Sequence, residues 1–169
     1  MKKVILLLNK NKNRLIVCLM LSFVLMVNHF NFDLFLMGSP AKRETLAATI
    51  IYFCIWFIFI FGSWKCNNSY LLKMAWIFWL IMVVASCDLF IVNKISDYRY
   101  LTNWKPIFNY SGITMPIAVL TFGTFYGIDI FFKKTIHVVY VILLMSWIYF
   151  QFSFVLWKHR SKNTNHNKS

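Results

Sequence analysis

The chain has 169 residues, a net charge of +13 and 60% hydrophobic residues, with a mean hydropathy of +0.62. A soluble domain has roughly 45 to 50% apolar and about 25% charged residues, whereas charged residues make up 14% here. The composition therefore predicts an all-α integral membrane protein without a separate soluble domain. Because Lys and Arg cluster at the ends of the apolar runs, we expect them to meet the lipid bilayer surface and not nucleic acid.

Five apolar runs are each long enough to cross the roughly 30 Å hydrocarbon core of a bilayer as a helix. They predict a single transmembrane bundle over residues 15–157. A basic cytoplasmic lead-in at 1–14 precedes it, and a basic, polar and disordered tail at 158–169 follows it. The predicted spans are 15–37, 45–63, 74–93, 112–132 and 135–157.

The first predicted span is less uniform than the others. Its first half is cleanly apolar, but its second half carries Asn28, His29, Asn31 and Asp33. No small-residue cleavage site follows the apolar run, so we interpret it as an uncleaved span. An alternative keeps four true spans and treats this polar-ended segment as re-entrant.

The orientation depends on the Lys and Arg residues in the connections. With five spans and the N-terminus inside, nine of these residues fall on each side of the membrane, so the positive-inside rule gives no overall preference. Five of them precede the first span and two follow it. Because the first span usually dominates, we predict a cytoplasmic N-terminus.

The fourth predicted span, 112–132, is rich in residues that lack a bulky side chain. Three of the chain's 5 glycines and one of its 3 prolines fall within roughly 60° of one another around this helix; they are Gly112, Pro116, Gly123 and Gly127. Small residues mark helix contacts in lipid because they let backbones approach, and Gly123 with Gly127 has the GxxxG spacing. We expect this face to pack at the centre of the bundle.

Ionisable residues inside spans indicate function, because each costs at least a few kcal/mol at the bilayer centre. His29 and Asp33 lie four residues apart on one helix face, and Asp88 lies beyond the middle of the third span. With the N-terminus inside, all three fall in the outer half of the bilayer, and we expect them to approach one another. Such a cluster could carry a proton, bind a cation or act as a general base, but we favour a structural hydrogen-bonded contact between helices.

No motif indicates an enzyme: the chain has no P-loop, HExxH, GxSxG or EF-hand pattern, and we assign no catalytic, cofactor or metal site. We expect a small non-enzymatic protein of a bacterial-type plasma membrane. It would be an accessory subunit or an immunity-like protein that packs against another membrane protein or a second copy of itself. Two alternatives use His29, Asp33 and Asp88: a small transporter or proton-coupled carrier, and an intramembrane enzyme that modifies lipids.

Overall fold

The structure is a computed structural model that describes residues 2–36, 42–97, 123–131 and 135–166. Residues 123–131, called the inserted segment below, are helical, with a 3-10 helix at Tyr126–Phe131. No strand occurs within these described ranges. The long α-helices are α1 (Lys2–Leu36), α2 (Arg43–Lys65), α3 (Ser69–Asp97) and α4 (Thr135–His166).

These four α-helices are all long and apolar enough to cross a membrane. Lipid offers no hydrogen-bonding partner to the backbone, so an apolar run of this length must satisfy its own N–H and C=O groups as a helix. The prediction of an all-α, multi-pass membrane bundle is confirmed. The spanning parts are Asn11–Asn31, Arg43–Lys65, Ser69–Asp88 and His137–Ser161.

A tight turn joins α2 to α3. Asn67 has a φ of 54°, in the left-handed region that asparagine tolerates better than most residues. Asn68 then caps α3, since its side-chain oxygen accepts the Leu71 N–H at 3.2 Å. The two helices therefore run antiparallel as neighbours.

Helices α3 and α4 form the most extensive contact among the described elements. Near the α2–α3 turn, the rings of Trp76 and Trp157 lie 5.5 Å apart, and at the other end the rings of Phe90 and Tyr140 lie 5.3 Å apart. Because low residue numbers of α3 meet high numbers of α4, the two helices are antiparallel.

Helix α4 also contacts α2, in a parallel arrangement. The Tyr149 hydroxyl donates to the Phe53 carbonyl at 2.9 Å, and Arg160 Nη2 donates to the Trp64 carbonyl at 3.0 Å. The two contacts are 11 residues apart on both helices, so α2 and α4 keep one register over about three turns.

Helix α1 lies at the edge of the bundle. Only 17% of its spanning part is buried, against 44% for α3. Near its N-terminal end, Asn13 Oδ1 accepts a hydrogen bond from Asn68 Nδ2 at 2.8 Å. This contact ties the first part of α1 to the α2–α3 turn.

Both described chain ends lie at the same face of the bundle, which we call the turn face. The Asn13–Asn68 contact brings the N-terminal part of α1 to the α2–α3 turn, and the Arg160–Trp64 contact brings the C-terminal part of α4 there.

The described helices make four crossings. Asp97 ends α3 and Thr135 begins α4, both at the face opposite the turn face. Residues 112–122 of the predicted fourth span, 112–132, lie outside the described residues, so this fifth crossing stays a prediction. The four-span alternative treated the polar end of the first span as re-entrant, whereas α1 is one continuous helix as far as Leu36.

Basic residues are unevenly distributed between the two faces. Among the described residues, ten Lys and Arg lie at or near the turn face and three, Lys42, Arg43 and Lys94, at or near the opposite face. The ten are Lys2, Lys3, Lys10, Lys12, Arg14, Lys65, Lys73, Lys158, Arg160 and Lys162.

The predicted disordered tail needs a correction too, since α4 continues through it as far as His166. Arg160 anchors this extension: its guanidinium lies 5.7 Å from the centre of the Trp64 ring, in addition to the hydrogen bond. Basic side chains near a helix C-terminus also interact favourably with the helix dipole. The lead-in at 1–14 is helical from Lys2 and continuous with the span.

Candidate functional site

A layer of polar side chains is buried in the half of the bundle away from the turn face. Asn28 and Asn31 come from α1, Thr45 and Thr49 from α2, and Thr124 from the inserted segment. Each is 8% exposed or less. Burying polar groups in an apolar medium is costly unless they are paired, so the layer indicates a specific contact among three chain segments.

Side chains of α1 and α2 bind the backbone of the inserted segment. Asn31 Nδ2 donates to the Gly123 carbonyl at 2.8 Å, and Thr49 Oγ1 donates to the Thr124 carbonyl at 3.0 Å. These two hydrogen bonds tie the backbone of the inserted segment to α1 and α2 within the buried layer.

The two glycines of the inserted segment sit where no side chain fits. A Cβ on Gly123 would overlap the side chain of Asn28, and a Cβ on Gly127 would overlap the backbone of Thr45 and Leu46. Both glycines thus allow close approach to α1 and α2. The other two residues of the predicted packing face, Gly112 and Pro116, lie outside the described residues, so the face as a whole stays a prediction.

Aromatic rings close the layer on its inner side. Tyr52, Trp56, Trp79 and Phe125 are all at most 2% exposed. The Tyr52 ring meets Phe125 at 6.0 Å and Trp79 at 6.3 Å, both edge to face. These aromatic rings lie between the polar layer and the half of the bundle that is nearer to the turn face.

The layer keeps unused hydrogen-bonding capacity. Asn28 Oδ1 and Asn31 Oδ1 are buried acceptors that meet no donor in the described part of the protein. An unpaired buried acceptor costs about 1 to 3 kcal/mol. These two oxygens are therefore the groups of the layer available to a donor or a cation.

The predicted cluster of His29, Asp33 and Asp88 is only partly described. His29 is exposed on the outer surface of α1, and Asp88 is half-buried on α3. The side chain of Asp33 lies outside the described residues. Counted from Asn13 and Asn68 at about 1.5 Å per residue, His29 and Asp88 lie within roughly 6 Å of the same depth, and their meeting stays a prediction.

His29 belongs to an exposed row on α1 that we call the α1 stripe. At about 100° per residue its members fall within roughly 80° around the helix, on the side opposite Asn31. Their spacing alternates between four and three residues, and position 33 continues it. The α1 stripe comprises Leu15, Leu19, Ser22, Met26 and His29, all exposed.

Two features of the site were not predicted from the sequence. Thr49 and Thr124 look like ordinary small polar residues in apolar runs, but the Thr49 hydroxyl donates to the backbone carbonyl of Thr124, 75 residues away. The available signal was the four-residue spacing of Thr45 and Thr49, which puts both on one face of α2.

Comparison with known proteins adds no relative: no family model, no curated protein and no solved structure matches the chain. The fold and the buried layer define its class, a multi-pass all-α membrane protein with an inserted segment held by side chains. A functional argument must therefore come from its own residues.

Proposed function

We propose that the protein is a non-enzymatic subunit that binds a transmembrane helix of another membrane protein through the α1 stripe. The observation that carries this proposal is an ionisable residue, His29, exposed on a spanning helix. Ionisable side chains in spans almost always face protein or water, because lipid contact is expensive. An accessory subunit and an immunity-like protein both fit this mode of action.

The spacing of the α1 stripe supports a helical partner. Exposed residues that alternate four and three apart average one every 3.5 residues, the period with which two helices pack side by side in a left-handed pair. Ser22 lies near the middle of the stripe and lets another backbone approach closely. The partner would present an acceptor or a carboxylate at the depth of His29.

The charge distribution supports a cytoplasmic turn face in a bacterial-type plasma membrane. The turn face carries the excess of Lys and Arg, so we place it in the cytoplasm. An anionic inner leaflet, as in a bacterial-type plasma membrane, attracts this face. The α1 stripe then meets its partner within the bilayer, with His29 towards the outer side.

Site-specific photo-crosslinking in the host membrane tests the proposal. A photoreactive residue replaces Met26, which is 69% exposed, and in separate controls Val84 of α3 or Val155 of α4, which are 62% and 58% exposed. We expect one adduct of defined mass from position 26 and none from the controls. The change His29→Leu should lower the yield of the adduct from position 26, because it removes the polar contact with the partner but keeps the α1 stripe apolar.

Two results would overturn this proposal. Equal labelling at all three positions would mean that α1 meets only lipid and random neighbours. An adduct of twice the protein's own mass would make the partner a second copy. The size of the protein in mild detergent is an independent test. It is measured for the purified protein and for the protein freshly extracted from the host membrane.

A proton- or cation-coupled carrier is the second candidate function. One observation favours it: Asn28 Oδ1 and Asn31 Oδ1, beside the inserted segment, are buried acceptors that meet no donor among the described residues. Asp88 would supply the titratable charge. Flux of protons or cations into proteoliposomes, lost in Asp88→Asn while the protein still folds, is the outcome that this candidate requires.

A further inference from the structure

A cavity of about 600 Å³ opens between α1, α2 and α3 at the turn face. Its polar wall is formed by Lys12, Asn13, Asn67, Asn68 and Ser69. Gly62 lies in the opposite wall, where a Cβ would meet no atom within 4 Å. The cavity is therefore open space with one cation and several amide groups around it.

A second, apolar cavity of about 220 Å³ lies directly below the first, deeper in the bundle. Phe59 lines both cavities. On α1 the lining passes from Ile16 in the first cavity to Val17 and Met20 in the second, and on α3 it passes from Leu71 to Met74. The two cavities share the wall at Phe59, and we call them together the slot, which is polar at the membrane surface and apolar beneath it.

We propose that this slot binds one anionic phospholipid, with the phosphate at Lys12 and an acyl chain along Met20. The order of polar and apolar lining matches the order of headgroup and chain in a lipid. Lys12 is exposed within a helical arm that carries five Lys and Arg residues before position 15, so the surroundings favour an anionic headgroup. A free phosphate would use only the first cavity and would leave the apolar slot empty.

The lipid also accounts for the position of α1. Helix α1 is the least buried of the four spans, and the slot separates part of it from α2 and α3. An empty cavity lacks dispersion contacts along its lining. An acyl chain that fills the slot supplies these contacts, which neighbouring side chains do not make there. This inference is independent of the partner proposed for the opposite side of α1.

Native mass spectrometry of the full chain in detergent tests the site with three probes: phosphatidylglycerol, phosphatidylcholine and inorganic phosphate. We expect one tightly bound phosphatidylglycerol, retained at least about five-fold better than phosphatidylcholine, and no effect of phosphate. The change Lys12→Gln should lower retention about five-fold, the size expected for one cation at an anionic surface. Arg14→Gln is the matched control, because Arg14 is exposed on the same helix but does not line the cavity.

A second variant tests whether lipid binding needs the open volume of the slot, separately from the charge of Lys12. Gly62→Phe places a ring in open space, so the protein should fold as judged by its elution volume and should lose the bound lipid. Gly62→Ala and Lys12→Arg should keep it. Equal retention of phosphatidylcholine, equal effects of Lys12→Gln and Arg14→Gln, full competition by phosphate, or lipid retained in Gly62→Phe would each overturn the proposal.

Discussion

Helices α1 and α3 cross the membrane with mean hydropathies of 1.6 and 1.9, yet 17% of the first span is buried against 44% of the second. In water such apolar runs would bury similar areas, but lipid is as apolar as a leucine side chain. What separates the two helices is therefore not hydrophobicity. Helix α3 presents large rings to α4, whereas the side-chain hydrogen bonds that attach α1 involve Asn13 and Asn31, beside a small apolar contact at Val24 and Val27. Close packing dominates in one region, and polar contacts add to a small packed face in the other.

The largest expected effect concerns the close approach of the inserted segment to α1 and α2. The change Gly127→Leu should cost more than about 3 kcal/mol or prevent folding, because overpacking against the backbone of Thr45 and Leu46 cannot relax. Gly123→Leu should be costly too, but less so, because it meets the side chain of Asn28, which can move. The matched control is Gly62→Leu, whose side chain enters open space. Monodisperse elution and chemical unfolding provide the measurement.

Equal tolerance of the three leucine variants would show that the inserted segment does not pack as described. The contrast between α1 and α3 would then change as well, because α1 would lose its contact with the inserted segment. A stable Gly62→Leu with an aggregated Gly127→Leu is the result that supports the structure.

The next effect tests the ring packing of α3 and α4. Trp79 is fully buried and stacks on Tyr149 at 4.6 Å, so Trp79→Ala should cost about 3 kcal/mol through lost packing and a cavity. Trp147→Ala is the control, because that ring is 49% exposed. Unfolding of the two variants side by side measures the difference, and similar costs would refute a ring-packed α3–α4 core.

The smallest effect tests the polar attachment of α1. Asn31→Leu removes the hydrogen bond to the Gly123 carbonyl and should cost about 1 kcal/mol, the upper part of the range measured for hydrogen bonds between membrane helices. Ser22→Leu, on the exposed side of the same helix, should leave the free energy of unfolding unchanged. If Asn31→Leu proved as silent as Ser22→Leu, packing alone would hold α1, and the contrast with α3 would disappear.

Part of this architecture could be predicted from the sequence. A bilayer imposes both a length and internal backbone pairing, so the apolar runs at 15–37, 45–63, 74–93 and 135–157 were recognisable as helices. The buried face of α1 was not recognisable, because either side of an apolar helix can face lipid. His29 and Asn31 are two residues apart, yet one is exposed and the other is fully buried.

The neighbours of each helix could not be predicted for a related reason. Length and hydropathy identify a span but not the helices that it contacts. Those contacts join distant residues, such as Arg160 and Trp64. Such contacts leave no local pattern in the sequence.

The hydrogen bonds to the inserted segment have a consequence for biogenesis. The donors Asn31 and Thr49 are synthesised 92 and 75 residues before the carbonyl groups of Gly123 and Thr124 that they pair. Until the inserted segment arrives, the donors of Asn31 and Thr49 lack these partners in an apolar environment, which is costly. The α1–α2 hairpin should therefore reach its final packing only after residue 124 has entered the membrane, so that the later segment completes the earlier helices.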